Sequence, residues 1–424
     1  MYQKVTLDNG VHILTEDVPH VRSVAVGYWV DVGSRDENPE INGISHFIEH
    51  LMFKGTEKRT AKDIAEALDA VGGQLNAFTT KEYTCYYARV LDEHFDLAVD
   101  LLSDMLFSSK FAAHDIERER NVIIEEIKMY EDAPDELVHD IFAGSLWQGH
   151  ALGRPIIGTS EVIARLSRDD IVNFYNTHYK PGKIVVAVAG NIRHEEVVKK
   201  LRPIFESREG SVQSREMTSP APSCEVTCRN KDTEQVHLCV GTPGLSLDHE
   251  KIYVFQVINT VLGGGLSSRL FQEIREKRGL VYSVYSYHTS YHDTGLFCIY
   301  AGLSRHNVDE VLELIFKQVE DIQKNGVKEE ELQRAKDQLK GNLYLSLENV
   351  STRMSRLGKS QLYLGKVVPP EEIVARVNMV TADEVQELAG KMLKPEYFSL
   401  AAIGPWQGCS CLEKFRNRNG KTGG

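Results

Sequence analysis

His46, Glu49 and His50 are the residues of this chain whose types and spacing could do chemistry together. They lie in the run Asn42-Gly43-Ile44-Ser45-His46-Phe47-Ile48-Glu49-His50-Leu51-Met52-Phe53. Histidines at i and i+4 stack on one face of a helix, so both imidazoles can reach a single metal ion. Glu49, three residues after His46, falls on the same side, where a carboxylate could take a proton from an activated water. The order H-x-x-E-H reverses the commoner H-E-x-x-H. A hydrolytic metal centre needs three protein ligands and an open position, so a third ligand must come from another element.

That element is sought in the helical pattern His114–Met129, within Asp-Ile-Glu-Arg-Glu-Arg-Asn-Val-Ile-Ile-Glu-Glu-Ile-Lys-Met-Tyr. Glu119 and Glu126 are seven apart, two turns along one face. Glu117 and Glu125 fall on other faces and read as solvated surface. Spacing alone leaves Glu119 and Glu126 open to the same reading.

The elements around the motif follow in order. Asp8-Asn9-Gly10 is a hairpin tip between Val5–Leu7 and Val11–Leu14. Val24–Val32 predicts a strand, and Thr60 with Asp63 caps a helix over Ala61–Val71 that stops at Gly72-Gly73. Strands are predicted at Gln74–Thr79 and Tyr83–Val90, then helices at Glu93–Phe107, His114–Met129, Asp135–Trp147 and Asp169–Thr177. Lys183–Ala189 reads as a buried strand, and His194–Glu206 as a closing helix. Ser207–Ser223 is polar and aperiodic, as a linker would be. Beyond it the grammar restarts, with strands at His237–Gly241, Val281–His288 and Gly295–Ala301 and helices at Val254–Leu262, Val308–Lys324 and Glu329–Leu347. The two halves end alike, Tyr179-Lys180-Pro181 before one apolar strand and Leu393-Lys394-Pro395 before another, which points to duplication.

The expected fold is therefore α+β, two duplicated domains, each an antiparallel sheet with helices packed on one face. Residues 1–206 form the first domain with the metal site, 207–223 the linker, 224–406 the second domain without the motif, and 407–424 a flexible tail. A chain of 424 residues, 42% apolar and 26% charged, is expected to be globular. Its net charge of −12 argues against general nucleic-acid binding. No membrane-length apolar run and no leader pattern are present, so the expected location is the cytoplasm, with no membrane partner. The seven cysteines make no zinc-finger spacing with histidine, and Cys409 and Cys411 are given no role.

With the third-ligand helix in place, the chain resembles the inverzincin metallopeptidases, the pitrilysin and insulinase family, and within it the bacterial relatives of mitochondrial processing peptidase. The resemblance rests on His46-Phe47-Ile48-Glu49-His50 with Phe53-Lys54-Gly55-Thr56, on Gly72-Gly73-Gln74-Leu75-Asn76-Ala77, on Glu125-Glu126-Ile127 and on Gly263-Gly264-Gly265-Leu266-Ser267-Ser268-Arg269-Leu270-Phe271. It covers nearly the whole chain. It implies one zinc ion per chain on His46, His50 and Glu126, with Glu49 as general base and Glu119 beside the metal orienting a ligand. It implies that Gln74–Thr79 is an exposed edge strand receiving substrate as an added β-strand, with Asn76 and Ala77 as peptide contacts. In Arg275-Glu276-Lys277-Arg278-Gly279-Leu280-Val281-Tyr282 it implies that Arg275 binds a substrate carbonyl or terminus and Tyr282 donates to the oxyanion. Without it, Asn76, Arg275 and Tyr282 would read as a turn-proximal polar group, a surface arginine and a strand tyrosine. The implied function is a zinc endopeptidase acting on unfolded peptides or presequence-like segments in a dimeric chamber. The expected assembly is a homodimer with the active site shared between chains. The alternative is a non-catalytic partner or scaffold subunit of the same family.

Overall fold

The protein is described by a computed structural model covering residues 2–210, 215 and 217–405. The expected tail, with Cys409 and Cys411, lies outside the described residues.

Eleven strands among the described residues form two sheets. The first joins β1 (Tyr2–Thr6), β2 (His12–Asp17), β3 (Ser23–Val30), β4 (Gln74–Thr79), β5 (Thr84–Leu91) and β6 (Ile184–Gly190) in the order β1-β2-β6-β3-β5-β4. The second joins β7 (Val226–Asn230), β8 (Val236–Gly244), β9 (Val281–Ser290), β10 (Gly295–Leu303) and β11 (Ser399–Gly404) in the order β7-β11-β8-β10-β9. Leaving out β1, the two orders correspond strand for strand. Even the exception to antiparallel pairing recurs, because β2 runs parallel to β6 and β7 runs parallel to β11. The duplication expected from the sequence is thus repeated in topology, with one parallel pair added to each antiparallel sheet.

The chain divides into two compact units that are not contiguous in sequence. The first takes the chain up to Lys128, the stretch from Arg154 into the linker, and Leu345–Val367. The second takes Met129–Gly153, Met217–Tyr344 and the chain from Val368 on. A division at the linker therefore misplaces two helices. Helix Pro134–Leu146, from the N-terminal half, belongs to the second unit, and helix Val350–Leu364, from the C-terminal half, belongs to the first.

The physical reason is that each sheet has two apolar faces. In the first unit, Val24, Val26, Tyr28 and Val30 of β3 point into a core closed by helices that include Ile44–Leu51, Phe95–Ser108 and Ala113–Glu131. Their neighbours Ala25 and Trp29 point the other way, onto Met354 and Leu357. The Trp29 indole donates to Met354 Sδ at 3.4 Å, and a Cβ on Gly358 would lie 2.3 Å from Trp29 Nε1, so only glycine allows the helix this approach. In the second unit, helices Ile252–Gly263, Val308–Asn325 and Ala382–Met392 cover one face, and Pro134–Leu146 covers the other with Val138, Phe142 and Leu146. Helices thus cover both faces of each sheet, which adds one helix to the one-sided packing expected. Double-sided burial also explains why β6 reads as an unbroken apolar run rather than an alternating one.

Candidate metal centre and peptide edge

Helix Ile44–Leu51 starts where Gly43 adopts φ +99°, a left-handed conformation open to glycine, with the Ile157 carbonyl oxygen 2.7 Å from where a Cβ would stand. No side chain of the helix caps it. The buried Glu37 carboxylate does so, accepting from the amides of Gly43 (2.7 Å) and Ser45 (2.9 Å) and from Asn42 Nδ2 (2.8 Å). An anion there satisfies amides that have no partner within the helix and complements its dipole. Sequence reasoning missed Glu37, because it precedes the helix by several residues and fits no local capping pattern. Ile44, Phe47, Ile48 and Leu51 are buried and clamp the helix to the core. His46 and His50 are thereby turned to the opposite side, their rings 4.6 Å apart.

The third ligand comes from helix Ala113–Glu131, held down by Ile116, Ile123 and Ile127. Glu119 and Glu126 share its inner face. Glu117 and Glu125 are exposed and pair with Arg120 and Lys128 on their own helix. Glu126 lies 4.0 Å from His46 Nε2 and 3.5 Å from His50 Nε2. One ligand atom from each of the three residues falls within 4.8 Å of the others. Tetrahedral zinc with bonds of about 2.0–2.1 Å separates its ligand atoms by about 3.3 Å, so small side-chain movements close the site.

The surroundings fit a metal. Glu119 is 2% exposed and lies 3.3 Å from His50 Nδ1 and 2.9 Å from Lys54 Nζ. A carboxylate can only accept, so Glu119 takes a hydrogen bond from His50 Nδ1, which leaves Nε2 as the nitrogen facing the cluster. Burial, aided by His50, pulls His46 down to about 3, which keeps its imidazole neutral and able to coordinate. Its own Nδ1 is buried without a partner among the described residues.

Glu49 is not part of the three-residue cluster. Its carboxylate accepts from the Thr79 hydroxyl at 2.5 Å, which ties it to the end of β4. Burial pushes the Glu49 carboxyl up. The Thr79 hydrogen bond and His50 oppose that rise, and Glu126 adds to it.

β4 is the outermost strand of its sheet, pairing with β5 alone. Asn76 on it is exposed, and Asn76 Oδ1 accepts from the Ala77 amide at 2.8 Å. That amide is therefore turned away from β5, with a side-chain carbonyl occupying the place a further strand would take.

Arg275 and Tyr282 lie in the second unit. Arg275 lies in the last turn of a π-helix, Phe271–Glu276, a form of helix found often at functional sites. Its guanidinium lies 5.0 Å from the Phe271 ring and 5.9 Å from the Tyr282 ring. Tyr282 is 74% exposed on β9, the outermost strand of its sheet. The structure thus brings these two side chains together.

Comparison with known proteins agrees with this layout. The family model described as insulinase (peptidase family M16) matches residues 12–160, which contain the metal cluster. The model described as the peptidase M16 inactive domain matches residues 165–339, where no H-x-x-E-H occurs. The chain is 46% identical over 405 residues to the uncharacterized zinc protease YmxG of Bacillus subtilis, covering 96% of this chain and 98% of that one. It is 45% identical over 414 residues to the uncharacterized zinc protease SCO5738 of Streptomyces coelicolor, covering 95% and 89%. In fold it is similar to a peptidase M16 inactive domain from Pseudomonas fluorescens (TM-score 0.89, 20% identity, 95% and 98% covered). It is equally similar to a protease from Helicobacter pylori (TM-score 0.89, 21% identity, 95% and 99% covered). With relatives so similar over nearly the whole chain, and a family model matching each half, the chain belongs to the pitrilysin and insulinase, or M16, family of peptidases.

Proposed function

We propose that the chain is a zinc endopeptidase that hydrolyses unfolded peptides, presequence-like segments among them, as a homodimer. One observation carries the reading: His46, His50 and Glu126 converge within 4.8 Å, and Glu49 beside them is hydrogen-bonded to the end of an edge strand. Two imidazoles and a carboxylate would hold zinc in the three-ligand pattern of a catalytic site. When bound there, zinc supplies Lewis acidity, bringing the pKa of a water near 7 and polarising a carbonyl oxygen.

The residues of the chain do the rest. Glu49 takes the proton from the attacking water and delivers it to the nitrogen of the leaving amine. Glu119 fixes the His50 ring through Nδ1, and the Thr79 hydroxyl fixes the Glu49 carboxylate. The free edge of β4 takes the substrate as an added strand, with Asn76 releasing the Ala77 amide to a substrate carbonyl. Main-chain pairing of this kind is nearly blind to sequence and demands an extended peptide, so a folded protein is a poor substrate. Arg275 and Tyr282 are assigned to the partner copy's site, Arg275 holding a substrate carbonyl or terminus and Tyr282 donating to the oxyanion. The exposure of Tyr282 supports this assignment. The same reading places the enzyme in the cytoplasm, where the thiols of Cys85, Cys239 and Cys298 stay reduced.

A non-catalytic subunit is the other reading, and it draws on the inactive-domain likeness. The inactive-domain family model matches residues 165–339, outside the cluster at His46, His50 and Glu126, whereas the Pseudomonas fluorescens likeness spans 95% of the chain at 20% identity and speaks for the fold alone. Removing metal by chelation should abolish cleavage of an unstructured quenched peptide, and stoichiometric zinc should restore it. Cleavage that survives complete chelation would overturn the proposal.

A further inference from the structure

A second cluster of metal-type side chains lies wholly inside the second unit, built from residues far apart in sequence. His139 comes from helix Pro134–Leu146, Cys239 from β8 and Cys298 from β10. One ligand atom from each lies within 4.8 Å of the others. The sheet sets the two thiols. β8 and β10 are antiparallel neighbours in which Cys239 faces Tyr300, so Cys298, two residues before Tyr300, projects from the same face. Helix Pro134–Leu146 covers that face and lowers His139 onto the pair.

The donor set is soft and buried. Both cysteines are free thiols with no exposed surface. His139 Nδ1 lies 3.4 Å from Cys239 Sγ, close to the separation of about 3.5 Å that tetrahedral zinc sets between a nitrogen at about 2.0 Å and a sulfur at about 2.3 Å. The far nitrogen of the ring, His139 Nε2, is 3.3 Å from the Tyr285 hydroxyl, an arrangement that orients ligating histidines in metal sites. The Tyr287 hydroxyl is hydrogen-bonded to His139 Nδ1 at 2.7 Å, a contact that a metal on that nitrogen would replace. Tyr285 is 38% exposed and His139 is half-buried, which leaves a way in from that side.

We propose that His139, Cys239 and Cys298 bind a thiophilic cation, zinc or a metal of similar softness. The site is separate from the H-x-x-E-H cluster and structural in role. The metal would pin helix Pro134–Leu146, from the N-terminal half of the sequence, onto the sheet of the second unit. Cross-links that join residues so distant in sequence remove most from the freedom of the unfolded chain.

Sulfur makes the two sites separable in one experiment. The metal-stripped full chain is titrated with Co2+, which gives an intense thiolate-to-metal charge-transfer band in the near ultraviolet only with sulfur ligands. His46, His50 and Glu126 offer none. The expected result is such a band saturating at one equivalent per chain, lost in Cys298→Ser and in Cys239→Ser, whether or not the other site fills. Zinc should also raise the thermal midpoint of the unsubstituted chain more than that of either variant. Should the variants fail to fold, X-ray absorption of the zinc-loaded unsubstituted chain should show a sulfur shell at about 2.3 Å. The absence of both the band and the sulfur shell, or a band retained in both variants, would overturn the proposal. So would a native chain whose Cys239 and Cys298 are joined as a disulfide.

Discussion

At the scale of residues, the site is a short chain of carboxylates with separate tasks. Glu126 approaches both imidazoles, Glu119 holds His50 from behind, and Glu49 stands aside, bound to Thr79. The H-x-x-E-H spacing called for a third ligand, but the Glu119–Glu126 spacing alone fitted a solvated face equally well, and only the family resemblance picked out those two acids. The burial of Glu119 against Lys54 was not legible, nor was the capping of the motif helix by Glu37, since both depend on how separate segments meet. The same reason hid His139, Cys239 and Cys298, which share no spacing in sequence and are joined by strand register and one covering helix. Glu119→Gln keeps the size of the side chain and removes the charge that orients His50 and pairs with Lys54. It is expected to lower zinc affinity at the H-x-x-E-H cluster by about 10–100-fold while the protein still folds. Competition with a calibrated chelator measures this, and unchanged affinity would show that Glu119 does not act through the ligand.

At the scale of elements, the edge strand and the exchanged helices matter most. β4 was readable as a strand from its sequence, and its place at the sheet edge was implied by the family resemblance. The helices beyond residue 348 went unassigned, and Val350–Leu364 could be placed only by knowing which sheet face lacked a cover. Helix Pro134–Leu146 was predicted nearly to the residue, yet its partner sheet was not, because amphipathicity specifies that a face must be covered and not by whom. The edge itself can be tested with proline. The Ala77 amide donates to Asn76 and not to β5, so Ala77→Pro should leave the β4–β5 ladder in place. Loss of one main-chain hydrogen bond to substrate, worth about 1.4 kcal/mol, should cut kcat/KM for long peptides about tenfold, with zinc content unchanged. Equal kinetics in the variant would remove the edge strand from the substrate path.

At the scale of the whole molecule, the duplication leaves two like sheets with unlike residues. Both units carry the same sheet order, but only the first carries the histidines, and the second presents Arg275 and Tyr282. If the homodimer shares its sites between chains, mixing Glu49→Gln with Tyr282→Phe should recover activity that each homodimer lacks. In the mixed dimer one site inherits both lesions and the other inherits neither. No recovery in mixed dimers verified by mass spectrometry would exclude the shared site. The central claim, that the H-x-x-E-H cluster is a working zinc peptidase centre with Glu49 as its proton carrier, is tested most directly by measuring zinc content and peptide turnover together in Glu49→Gln and Glu126→Gln. Glu49→Gln is expected to keep the zinc of the unsubstituted protein and lose turnover by about a hundredfold or more, whereas Glu126→Gln is expected to lose one equivalent of zinc along with activity. A Glu49→Gln protein that lacks that zinc beside a fully loaded Glu126→Gln, or one that cleaves peptide at the unsubstituted rate, would contradict it.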